Sequence, residues 1–405
     1  SSKSAQALRL GLSDYGAVEE EFFRANAMGI HLMRLDFPWK NVVPKLEVED
    51  LVERRELEEN PQLVDQLITR LERNNAWAAF DRKINWAKKF ALEIIPIVGH
   101  GYQFDQPSYQ GQAFGPHTVG KEKYLGTMAL FVRAFVRRYS ENFNYVQIEN
   151  ELNVAAATML WGWRLPEGIE GLKSGAFADW SFLTEIIKTL SVSVRHEHPK
   201  ARIIHNFHTD LSPKLLHRLG LPSWPEAVEW WRPYLDIIGL DLYPNYYDAD
   251  KNYKGNLATQ VEKAKVVGCG RPVMIMETNY PRGPGERAFE MHKQASYVQT
   301  TIKEAKASCA EALLFYGAVS LSLREDHDHF TRAEKRLMKN LGKKFEQGDL
   351  FGLGLTLLWH NRLVKSGELG KLLTSVEPYW DFFDESRMPV PAYAILRDAT
   401  DYDKR

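Results

Sequence analysis

The chain has 405 residues, 44% of them hydrophobic and 12% aromatic, and its 52 Lys and Arg nearly cancel 53 Asp and Glu to leave a formal net charge of −1. This is the composition of a folded protein with a large core, and the balanced charge supplies no field for gathering nucleic acid or an anionic membrane surface. No stretch reaches the roughly 18 apolar residues that span a bilayer, the opening Ser1-Ser2-Lys3-Ser4-Ala5-Gln6 has no apolar leader core, and two cysteines are too few for a disulfide framework or a zinc knuckle.

Short apolar or β-branched runs recur along the chain at Leu8 to Leu12, Ile30 to Phe37, Ile94 to Val98, Tyr145 to Ile148, Arg202 to Ile204, Ile237 to Leu242, Val273 to Met276, and Ala312 to Tyr316. Most are separated by stretches with apolar residues three and four apart, as in Phe80-Ile84-Ala87-Phe90 and Leu130-Phe131-Ala134-Phe135-Tyr139. That spacing is the period of a helix face. Strand and helix in alternation predict a parallel sheet, and strands that are apolar throughout suit burial on both faces. Eight such strands close a barrel, so the expected fold class is α/β: a (β/α)8 TIM barrel formed by one domain over residues 1–405.

Two segments interrupt the alternation: 44–75, charged and Leu-dotted, after the second run, and 320–377 after the eighth. Both are predicted insertions at strand C-terminal ends, where barrel loops build the active face. Pro391 is placed to open a closing helix through Ala392, Tyr393, Ile395 and Leu396. Cys269 and Cys309 precede the seventh and eighth runs, so neighbouring parallel strands can bring them together; a disulfide is one arrangement, and two free buried thiols are the expected one. Glu325-Asp326-His327-Asp328-His329 fits no standard zinc spacing and reads as a solvated loop.

Polar and aromatic residues at the ends of the runs carry the chemistry. Arg34 is a charge in the otherwise apolar second run, and a buried guanidinium needs a carboxylate, for which Glu277 is the expected partner. The fourth run ends in Glu149-Asn150-Glu151 and the seventh in Glu277. Carboxyls at the ends of two buried strands match glycoside hydrolysis, in which a retaining enzyme holds two of them about 5–5.5 Å apart, one protonating the leaving oxygen and the other attacking the anomeric carbon. Glu151 is the expected acid/base, Glu277 the nucleophile, Asn150 a partner of the sugar 2-hydroxyl, and Tyr243 a donor to Glu277. His100, His205, Asn206 and His208 are candidate sugar or carboxylate contacts. Trp39, Trp161, Trp163 and Tyr316 are candidate aromatic surfaces for pyranose rings. Taken singly, each has an ordinary reading: a surface ion pair, a structural salt bridge or a core ring. Their combination carries the functional one.

Arg34, Asn150-Glu151, Tyr243 and Glu277, in this order at strand ends, resemble glycoside hydrolase clan A, and Tyr379-Trp380-Asp381-Phe382-Phe383-Asp384 with Pro391-Ala392-Tyr393 resembles the clan's last turn and helix. Phe207, Ile237-Ile238-Gly239 and Val273 to Thr278 with Tyr280-Pro281 are similar to its endo-β-1,4-galactanase and cellulase-like families. The resemblance implies a retaining β-glycosidase acting on a β-linked oligo- or polysaccharide, with no cofactor and no metal, and with neither nucleic acid nor membrane as partner. Secretion or a periplasmic location would follow from a polymeric substrate. A transglycosylase using the same residues and a carbohydrate-binding barrel without catalysis are the alternatives. One departure stands out: Phe315-Tyr316-Gly317 occupies the strand where many members carry a tryptophan under the sugar, leaving Tyr316, Trp359 or Trp380 to replace it.

Overall fold

The computed structural model describes residues 7–99, 106–156, 175–209, 216, 221–243, 256–280, 291–319, 340, 382–383 and 388–402. Each of the eight expected runs is a strand: β1 Arg9–Asp14, β2 Leu32–Asp36, β3 Glu93–Val98, β4 Tyr145–Ile148, β5 Arg202–His208, β6 Ile237–Asp241, β7 Val273–Thr278 and β8 Ala312–Tyr316. They close an all-parallel barrel in sequential order, with β8 returning to pair with β1. Each strand is followed by a helix: α1 Glu19–Ala27, α2 Ala78–Lys89, α3 Lys121–Tyr139, α4 Trp180–Glu197, α5 Trp224–Trp231, α6 Asn256–Val267, α7 Met291–Ala307 and α8 Pro391–Tyr402. Pro391 opens α8, where a missing backbone N–H costs nothing. The expected 320–377 segment lies outside the described residues except for residue 340.

The two-residue period of a strand sorts side chains between two cores. Leu12, Met33, Val146, Ile203, Phe207, Ile238, Leu240, Ile275 and Phe315 point out and merge with the helices' apolar faces. Leu32, Ile95, Tyr145, Ile204, Ile237, Met274, Met276, Ala312 and Leu314 fill the lumen. At about 1.5–3 kcal/mol for each large apolar side chain taken from water, these two sets dominate the favourable side of folding. Below the lumen, at the strands' N-terminal end, Arg9 donates to Glu93 at 2.5 Å, while Glu311 accepts from Tyr145 and from Arg202. These polar contacts plug the face that serves stability in such barrels.

After β2 the chain forms a short strand, Lys45–Leu46, paired with Ser108–Tyr109, followed by helices Arg54–Glu59 and Gln62–Arg73. This segment lies on α3, and Gly126 is why it can: a Cβ there would sit 2.2 Å from the Val52 carbonyl oxygen. Thr127 beside it accepts from the Val52 N–H at 3.0 Å.

Cys269 and Cys309 are free, as expected, but both are exposed and not buried. Each sits just past a helix end with φ of 54° and 50°, in a turn that faces solvent before the next strand begins. No helix among the described residues is long and apolar enough to cross a membrane.

Glu21 on α1 is fully buried, and burial raises its carboxyl to about 7 from an ordinary 4.5 even though the Ala17 N–H donates to it at 2.7 Å. The folded protein therefore holds a proton that the unfolded chain has released, and stability falls as pH rises from 4.5 to 7. Glu21→Gln cannot ionise. It is expected to flatten this dependence and to be more stable than wild type at pH 8 by on the order of 1–3 kcal/mol; denaturant midpoints at pH 5 and pH 8 measure the difference.

Candidate active site

At the C-terminal end of the lumen the inward positions turn polar. Ser13 on β1, Arg34 on β2, Gln147 on β4, Asn206 on β5 and Asp241 on β6 are all buried and continue the inward rows of their strands. On β7 the register against β6 shifts between Ile275 and Glu277, and against β8 between Ile275 and Thr278. An irregularity of this kind re-aims a side chain, and here it turns Glu277 into the mouth directly after inward-facing Met276. Gly239 makes room for that methionine, since a Cβ would come 2.8 Å from its Cγ and 2.9 Å from the His205 carbonyl oxygen.

The end of β4 is strained. Glu149 and Glu151 have φ of 55° and 47°, a left-handed conformation uncommon outside glycine. Such strain persists where the surroundings hold it. The Glu149 N–H donates to the Val98 carbonyl at 2.7 Å, Gln147 Nε2 donates to the Glu149 carbonyl at 2.8 Å, and the Glu151 N–H donates to Asn206 Oδ1 at 3.1 Å.

Arg34 organises the centre. It is 2% exposed and donates from Nε to Gln147 Oε1 at 2.6 Å, from Nη1 to Ser13 Oγ at 2.6 Å and to Glu277 Oε1, and from Nη2 to Asn150 Oδ1 at 2.6 Å. The guanidinium thereby finds the partner that its burial demands. The other Glu277 oxygen accepts from Tyr243 Oη at 2.6 Å. Burial raises the Glu277 carboxyl, Arg34 lowers it and the charge of Glu151 raises it again, for a net upward direction.

Across the mouth, His208 Nδ1 donates to Glu151 Oε1 at 2.7 Å. Burial pushes Glu151 up, but His208, Asp241 and Arg34 together bring it below its ordinary value. One carboxylate oxygen each from Glu151, Asp241 and Glu277 lie within 4.8 Å of one another. Asp241 is fully buried and raised well above an ordinary aspartate, first by burial and then by the charges of Glu277 and Glu151. Asn206 ties the sides together, donating to Asp241 Oδ2 at 2.5 Å and Asn150 Oδ1 at 2.7 Å while accepting from Gln147 Nε2 at 2.7 Å.

These three acids are also a grouping that could ligate a metal ion. Four of their six oxygens already serve Arg34, Tyr243, His208 and Asn206, and the adjacent guanidinium opposes a second cation. This environment disfavours a metal ion among the three acids.

The structure brings together Arg34, Asn150, Glu151, Asn206, Tyr243 and Glu277. Tyr316 stands at the edge of the group, its hydroxyl 2.5 Å from that of Tyr15 and its ring 6.2 Å from that of Tyr243. Trp39, expected to meet a sugar, is a core ring instead. It is 2% exposed and packs 5.2 Å from both Phe114 and Phe131, because the turn after β2 carries it back onto α3. His205 also leaves the site: parity turns it outward against Trp231, its Nδ1 reaches the Ile148 carbonyl at 2.8 Å, and burial lowers it to about 4, so it is neutral. His100, Trp161 and Trp163 lie outside the described residues. Ser13, Gln147 and Asp241 were not singled out from the sequence. Asp241 carries the same signal as Arg34, a charge inside an apolar strand.

No protein-family model matches the chain, and no curated protein matches it. Solved structures do share its fold. Fpglu1 from Fervidobacterium pennivoraus superposes with a TM-score of 0.58 over 95% of this chain and 83% of its own, at 10% identity. A family 1 β-glucosidase from Thermotoga maritima gives 0.50 over 74% and 76% at 13% identity. The β-glycosidase BGL167 gives 0.51 over 74% and 75% at 11% identity. The likeness at these identities is one of fold.

Proposed function

We propose that this chain is a retaining β-glycoside hydrolase with Glu277 as nucleophile and Glu151 as acid/base. The observation that carries the reading is the pair itself: two carboxyls from different strands with oxygens within 4.8 Å, each held by its own set of donors. That approach is nearer the about 5–5.5 Å separation of retaining enzymes than the about 6.5–9.5 Å of inverting ones. Contacts support this assignment. Arg34 and Tyr243 both donate to Glu277 and work against the upward push of burial and of the Glu151 charge, while Glu151 stands on the opposite side against His208.

In the first half-reaction a Glu277 oxygen bonds to the anomeric carbon as the glycosidic bond breaks, and Glu151 gives its proton to the leaving oxygen. In the second, Glu151 takes a proton from water, the water oxygen bonds to the anomeric carbon, and Glu277 departs as a carboxylate. The role proposed for Asn150, whose Oδ1 accepts from Arg34 and Asn206, is to meet the sugar 2-hydroxyl. The β-linkage is supported by the β-glucosidase and β-glycosidase names of the structural neighbours.

The test is hydrolysis of aryl β-glycosides and β-linked polysaccharides followed by NMR from the first turnover. Release of the β-anomer first is the expected outcome. Release of the α-anomer first, or no cleavage across the panel, would overturn the proposal.

A further inference from the structure

A third carboxyl lies inside the pair, and the two-step chemistry does not use it. Asp241 sits at the end of β6 with no exposure, its Oδ2 accepting from Asn206 at 2.5 Å. Among the described residues no donor reaches its Oδ1, and its carboxyl lies against another acid, Glu151. Around it stand Arg34 from β2, Glu151 beyond β4, Asn206 and His208 from β5, Tyr243 beyond β6 and Glu277 from β7. The positive and donor groups among them are committed elsewhere: Arg34 and Tyr243 to Glu277, His208 to Glu151. As a carboxylate, Asp241 would be a buried anion beside two others with one oxygen unsatisfied. As a carboxylic acid it becomes a donor with an acceptor in front of it.

We propose that Asp241 is a positioning residue that works in its neutral form, donating a hydrogen bond from Oδ1 to the Glu151 carboxylate while Oδ2 accepts from Asn206. This rests on the glycosidase reading above. The bond fixes the orientation of Glu151 and stabilises the anion it becomes when it has delivered its proton, and the neutral group keeps a further negative charge away from Glu277. The direction in which burial and its neighbours move Asp241 agrees.

An asparagine reproduces this pattern, with one acceptor toward Asn206 and one donor toward Glu151, and an alanine does not. D241N is therefore expected to keep kcat within about threefold of wild type with its pH profile in place, whereas D241A loses about 10–100-fold in kcat with little change in KM, the range for one hydrogen bond to a charged group. In D241A the alkaline limb of kcat/KM also moves up, because Glu151 without its donor keeps its proton to higher pH. A purely structural role would lower stability without moving that limb. Independently of activity, infrared difference spectra at neutral pH should show the carbonyl band of a protonated carboxyl in wild type that is absent from D241N. D241N as damaged as D241A, or no such band, would overturn the proposal. If wild type cleaves no glycoside, the functional reading fails by itself and the infrared band still decides the state of Asp241.

Discussion

Glu277→Gln is expected to lower kcat on any β-glycoside that wild type cleaves by roughly 10⁴-fold or more, as loss of a covalent nucleophile does in other enzymes. The substitution keeps the shape of the side chain and an oxygen for Arg34, so the change isolates the carboxylate. Arg34 is then left as a buried cation without its anion, and a fall in the denaturation midpoint should accompany the lost activity. Glu277→Ala opens space on the face from which the carboxylate attacks. A small anion such as azide added to that variant should restore turnover and give the α-glycosyl product, because the attack now happens once instead of twice. Unchanged activity in either variant would remove Glu277 from the mechanism.

Arg34→Met carries the second large effect, and it acts on both stability and pH. Four acceptors, on Ser13, Gln147, Asn150 and Glu277, lose their donor together, and Glu277 becomes a buried carboxyl without its cation. Breaking a buried pair from one side costs about 3–5 kcal/mol, measurable by denaturant unfolding. Arg34 lowers the Glu277 pKa, so its removal raises it. The nucleophile is then protonated over a wider acid range, and the acid limb of kcat/KM should move to higher pH. Arg34→Lys keeps the charge and is expected to keep the limb close to wild type while still losing rate, because an ammonium has no planar fork to hold Glu277 and Asn150 at once.

The barrel was legible in the sequence because parallel strands buried on both faces write themselves as uninterrupted apolar runs, and all eight were found within a few residues of their ends. β5 is the largest misjudgement of length. It extends to His208 because Asn206 and His208, polar by type, continue the strand as inward and rim positions. Arg34 stood out because a charge in such a run needs a reason.

Asp241 satisfied the same criterion. Reading β6 by parity, Ile237 and Gly239 face the lumen, and so must Asp241. Parity also separates Asn206 from its outward neighbour His205. The irregularity on β7 cannot be read this way: nothing in Val273 to Thr278 announces the register shift that turns Glu277 inward beside Met276. Trp39 was misplaced for a related reason, since the path of a loop after a strand end is set by what it packs on, here Phe114 and Phe131, and not by local pattern.

The measurement that bears most directly on the central claim is covalent trapping. Wild type incubated with a 2-deoxy-2-fluoro β-glycoside bearing a good leaving group would be digested and its labelled peptide sequenced by mass spectrometry. The expected result is one sugar per chain, attached to Glu277. A label on Glu151 or Asp241, or cleavage of the glycoside with no adduct and with inversion at the anomeric carbon, would contradict the roles assigned to this site.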